Sequence, residues 1–156
     1  MTALAPSRVV LTVGNAMMGD DGAGPKLYDM MTNSPIPGWQ AIDGGSAPEN
    51  ESHRVKALSP DTLVIVDAAD MGLEPGEVRL IDADIIADMF IMTTHNLPLN
   101  FLIDQLKEEI SEVFFIGIQP DLVAFAFPMT QAVSDAVDTV YQSLLRWRGE
   151  PEFERL

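Results

Sequence analysis

Three short stretches constrain this chain more than anything else in it. RVVLTV (residues 8–13), TLVIVDA (Thr62–Ala68) and EVFFIGI (Glu112–Ile118) are nearly unbroken runs of branched and aromatic residues. Such a run has no polar face to turn toward water. It therefore suits a strand covered on both sides, which is the situation in a parallel sheet flanked by helices. WQAID (Trp39–Asp43) reads as a fourth strand, and EVRLID (residues 77–82), where apolar and polar residues alternate, reads as a half-exposed edge strand.

Helical patterns fill the gaps at residues 24–32, 48–58, 83–90, 97–110 and 129–147. In the fourth of these, Leu99, Leu102, Ile103, Leu106 and Ile110 recur at helical spacing, with Asp104, Lys107 and Glu108 on the opposite face. The last shows a stripe of Val133, Val137, Val140, Tyr141, Leu144 and Leu145. Strand alternating with helix predicts a single-domain, doubly wound α/β/α sandwich on a mostly parallel sheet of about five strands. A chain of 156 residues, 47% of them hydrophobic, can fill one such core without staples. The two ends, residues 1–7 and the polar RGEPEFERL (residues 148–156), are expected to fray.

A formal charge of -15 repels nucleic acid phosphates and anionic lipid, so neither is an expected partner. Without cysteine the chain can have no disulfide framework, zinc-thiolate site or cysteine nucleophile, and a reducing cytoplasm is the expected compartment. MTALAPSR lacks a basic segment followed by an apolar core, and no run approaches the roughly 20 apolar residues of a membrane span.

Functional loops of a doubly wound sheet gather at the carboxyl ends of the strands, where the strand order reverses. The loops after RVVLTV and TLVIVDA are therefore expected to meet. The first of them, VGNAMMGDDGAGP (residues 13–25), has glycines at 14, 19, 22 and 24 with Asp20 and Asp21 among them. It fits neither the dinucleotide fingerprint nor the P-loop, which needs Lys and Ser/Thr after its second glycine. Carboxylates here oppose a bound phosphate, whereas a cation would be welcome. A plainer reading has one of the two acids capping the following helix. Capping or support of the site is assigned to Asp20 and chemistry to Asp21.

Asp67 ends a run too apolar to be exposed, where a carboxylate is costly unless something at the sheet end pairs with it. It could equally accept backbone hydrogen bonds from neighbouring loops. Asp70 lies further into its loop and is easily solvated. Of the two histidines, His53 sits among charged residues and reads as surface, while His95 occupies a polar break between two helical patterns. If that break overlies the same strand ends, Asp21, Asp67 and His95 make an O, O, N set suited to nickel, zinc or manganese with positions left open.

The sequence resembles the nickel-iron hydrogenase maturation endopeptidases, and within them most closely the branch that processes the large subunit of hydrogenase 3. The resemblance spans residue 9 to about residue 147. It rests on VGNAMMGDDGAGP, IDGGSAPEN, LVIVDAADMGLEPGE, MFIMTTHNLPLNFLIDQLKE, GIQPD and FPMTQ. It implies an endopeptidase that removes a C-terminal extension from the large-subunit precursor once nickel is loaded. It also implies that Asp21, Asp67 and His95 hold that nickel, which the precursor supplies, and that Asp21 and Asp67 serve catalysis. Many relatives carry glutamate where this chain has Asp21. The turn Asp43, Gly44, Gly45, Ser46 is similar to the family's substrate-facing loop. The precursor is the expected partner, and the protein is expected to be a monomer.

Two other classes remain in view. A nickel chaperone would share the ligands without cleaving. A signalling receiver domain also places acids after its first and third strands, yet it needs a lysine after the fifth, where this chain has Gln119, Pro120 and Asp121 and no lysine beyond Lys107. There is no G-x-S-x-G elbow and no H-E-x-x-H helix.

Overall fold

The apolar runs do form the centre of a sheet. Residues 7–89 and 99–156 are described by a computed structural model. β1 (Arg8–Thr12), β2 (Trp39–Asp43), β3 (Thr62–Ala68), β4 (Val78–Ile81) and β5 (Glu112–Ile118) make one five-stranded sheet in the order β2-β1-β3-β5-β4. β1 pairs in parallel with β2 and β3, and β3 with β5, while β4 runs antiparallel to β5 at the edge. Every residue of β3 is buried, as its lack of a polar face requires.

Alternation along the strands sorts side chains into two layers. Val9, Leu11, Leu63, Ile65 and Phe115 face α3 (Ala83–Met89) and α4 (Leu99–Lys107), and Val55 of α2 (Ser52–Ala57) joins that layer. Val10, Val64, Val66, Ile116 and Ile118 face α1 (Ala23–Asn33) and α5 (Gln131–Leu145). Leu27 and Met31 of α1, and Val133, Val137, Val140 and Leu144 of α5, are the buried stripes that hold these helices down. Leu145 departs from its expected stripe and is exposed. The predicted doubly wound α/β architecture is thus the observed one.

The C-terminal tail is a correction to the expected fraying. The Leu80 N–H donates to the Glu154 carbonyl (2.9 Å) and the Leu156 N–H to the Leu80 carbonyl (3.0 Å), which adds a short parallel bridge to the outer edge of β4. Arg155 pairs with Asp82 at 2.6 Å. Phe153 packs against the α1/α5 layer and Leu156 against the other. The tail covers an edge whose N–H and C=O groups would otherwise be open to another chain. With that cover, Val78, Leu80 and Ile81 are buried, and β4 is less exposed than its alternating sequence suggests. Among the described residues, no helix is long and apolar enough to cross a membrane.

Candidate functional site

β1 has β2 on one side and β3 on the other, so the strand order reverses at β1, where a crevice is expected outside the strand ends. Backbone hydrogen bonds knit the loops there. The Gly44 N–H donates to the Thr12 carbonyl (2.7 Å), the Gly14 N–H to the Gly45 carbonyl (2.8 Å), and the Val13 N–H to the Val66 carbonyl (2.9 Å). Gly14, at φ +141°, has room only for a hydrogen: a Cβ would collide with the Asp21 carbonyl oxygen. The chain then enters a 3-10 turn, Gly19–Gly22, which touches β3 and leads directly into α1. The loop after β1 is thus bonded to the turn after β2 and packs its 3-10 turn against β3.

Asp20 and Asp21 are adjacent and both buried, yet they turn to different partners. The Asp20 carboxylate accepts the backbone N–H groups of Asp121 (2.9 Å), Leu122 (3.0 Å) and Thr130 (2.7 Å), and the Thr130 hydroxyl (2.9 Å). Thr130 is the N-cap of α5, so Asp20 supports the start of a helix more than a hundred residues away. Neither acid caps α1, whose N-cap is Gly22 with no side-chain bond. The Asp21 carboxylate accepts the Asn15 N–H at 2.9 Å, which folds the glycine loop back upon it.

Asp67 is fully buried near the end of β3, opposite Gly117 of β5. By alternation it shares the face of Leu63 and Ile65, the layer of α3 and α4. These two helices bracket residues 90–98, so His95 lies outside the described residues. Among the described residues, no three His, Cys, Asp or Glu side chains form a metal-holding group. His53 is exposed on α2, as expected.

The turn Asp43, Gly44, Gly45, Ser46 lies directly beside the glycine loop through the Gly14–Gly45 bond. Asp43 is exposed and its carboxylate accepts the Gly45 N–H at 2.9 Å, closing the turn upon itself. On the far side, Asp70 accepts the Gln119 side-chain amide (3.1 Å) and the Gly72 N–H (3.1 Å), and these bonds hold its carboxyl below the usual aspartate range.

Two features escaped the sequence reading. Gln119 is buried, and its side-chain oxygen accepts the N–H groups of Met71 (2.7 Å) and Leu73 (3.2 Å), fixing the loop after β3. In addition, Met17, Leu122, Val123, Phe125 and Phe127 stand exposed at this end of the sheet. The only available signal was an apolar run after β5 that lies outside any helical or strand pattern.

The family model described as hydrogenase maturation protease matches residues 25–147. The hydrogenase 3 maturation protease of Escherichia coli strain K12 is 61% identical over 148 residues, covering 95% of each chain. A crystal structure of a hydrogenase 3 maturation protease superposes with a TM-score of 0.92 at 60% identity, over 97% of each chain. The solution structure of an endopeptidase from Escherichia coli, HycI, gives a TM-score of 0.90 at 60% identity over 96% of each chain.

Proposed function

The chain belongs to the hydrogenase maturation protease family, and from that membership we propose that it removes the C-terminal extension of a nickel-loaded large-subunit precursor in the cytoplasm. It is an endopeptidase, hence a hydrolase, of hydrogenase maturation. Family membership sets the receiver-domain reading aside. The observation that carries the finer reading is the burial of two carboxylates at the reversal of strand order, Asp21 in the 3-10 turn after β1 and Asp67 near the end of β3, the strand which that turn touches. Burying negative charge is costly, and a divalent cation offsets that cost.

In this reading the precursor brings the nickel, and Asp21, Asp67 and His95 complete its coordination from the protease side. Only a loaded precursor then seats its scissile bond in register, so the ion acts as a recognition element. Asp21 is held against its own loop by Asn15, which sets its carboxylate before substrate arrives. A carboxylate of the pair is suited to take a proton from the attacking water as that water adds to the peptide carbonyl carbon. The C–N bond then breaks as the same carboxyl group returns that proton to the leaving amine, which regenerates the carboxylate. The Asp43–Ser46 turn, fixed to the glycine loop, would line the path of the extended substrate.

Nickel-loaded precursor incubated with the purified protein should lose the mass of its extension. Asp21→Asn, Asp67→Asn and His95→Ala should each abolish that loss while melting close to the parent. Normal cleavage by all three variants would refute the ligand assignment. Binding by the parent protein without any mass loss would favour a nickel chaperone instead.

A further inference from the structure

Beside the buried carboxylates the surface changes character. Met17 is 57% exposed, Phe125 67% and Phe127 54%, with Leu122 and Val123 also in water. These side chains come from two loops that are bonded to each other. The Ala126 N–H donates to the Met17 carbonyl (2.8 Å), and the Asp20 N–H to the Leu122 carbonyl (2.8 Å). Gly19, at φ +60°, allows this approach, since a Cβ there would stand 2.5 Å from the Leu122 carbonyl oxygen.

The aromatic segment is anchored at both ends by the Asp20 carboxylate, through Asp121 and Leu122 on one side and Thr130 on the other. Between Phe125 and Phe127, Ala126 adopts φ +65°, a left-handed conformation disfavoured for a residue with a Cβ. The fold thus accepts backbone strain where it holds two phenyl rings in solvent. Exposed apolar side chains clustered in this way mark an interaction surface.

Two observations identify the occupant. First, residues 119–130 carry a single charge, Asp121, on a chain whose net charge is -15, so the patch selects by desolvation rather than by ion pairing. Second, the patch is continuous with the site, because Met17 lies in the loop that carries Asp21, and Asp20 joins the two loops. We propose that Met17, Leu122, Val123, Phe125 and Phe127 form an exosite that docks an uncharged, apolar segment of the hydrogenase precursor next to its cleavage point. This rests on the function proposed above.

The test is Phe125→Ser/Phe127→Ser, with Leu145→Ser as an exposed-apolar control away from the site. On nickel-loaded precursor the double variant should raise KM by roughly 10-fold or more, as expected for loss of aromatic anchors. Its kcat and melting temperature should stay near the parent's, and the control should match the parent throughout. Direct titration of precursor against the Asp21→Asn protein, with and without the double substitution, reads docking without cleavage. Equal affinities there would overturn the exosite. Failure of the parent to cleave, with a weaker titration for the double variant, would sink the activity and leave the docking surface standing. Parent dimers that the double variant dissolves would assign the patch to a second copy of this chain and also overturn the proposal.

Discussion

The two ends of the sheet handle charge in opposite ways. At the amino end, Lys56 and Glu109 pair at 3.1 Å in solvent, around a hollow also lined by Ser59, Pro60, Asp61, Ile110 and Ser111. At the carboxyl end, Asp20, Asp21 and Asp67 are buried, and the large exposed side chains beside them are apolar. Water screens the first arrangement, so its charges matter little to stability or chemistry. Burial makes every carboxylate of the second consequential, because each must be compensated by hydrogen bonds or by opposite charge.

The sharpest form of this contrast lies between neighbours. Asp20 spends its buried carboxylate on the loop of residues 121–130 and the N-cap of α5, and its replacement by alanine takes the acceptor from the part-buried N–H groups of Asp121, Leu122 and Thr130. Asp20→Ala should therefore lower the unfolding free energy by about 2–4 kcal/mol in urea denaturation. Asp21→Asn should leave stability much closer to the parent's. Equal destabilisation by the two would erase the division of labour between them.

A smaller effect concerns acid pH. The folded-state pKa of Asp70 is lowered, so its contribution to stability is present above the ordinary aspartate value and is lost as pH falls through its own lower value. Unfolding curves below about pH 4 should show a decline that Asp70→Asn partly removes. The group is exposed, so the change should be slight, and identical acid profiles for the two proteins would show that the Gln119 bond contributes nothing measurable. At the amino end, Lys56→Ala should shift stability by no more than about 0.5 kcal/mol and leave cleavage untouched. A larger shift would mean that the two ends are less different than their burial indicates.

Sequence periodicity located the sheet well because burial on both faces leaves a local trace. Trp39–Asp43, Thr62–Ala68 and Glu112–Ile118 have the predicted bounds, and β1 and β4 differ only at their ends. The tail was misread because its polar residues and proline are local facts, whereas the docking of Phe153 and Leu156 onto β4 and the two core layers depends on distant partners. Asp20 shows the same limit. Its proximity to a helix start was legible, but the helix it supports begins at Gln131 and not at the next residues in the chain. Strand-end logic anticipated that the glycine loop bearing Asp21 would lie near β3, and its 3-10 turn does touch that strand. The exposed phenyl rings went unassigned because hydropathy cannot distinguish an apolar side chain bound for the core from one held in water.

The account turns most directly on nickel in the substrate. Purified precursor, prepared with and without the ion, should be incubated with this protein and followed by intact mass. Loss of the C-terminal extension from the loaded precursor alone is the predicted result, and equal cleavage of the nickel-free precursor would contradict it.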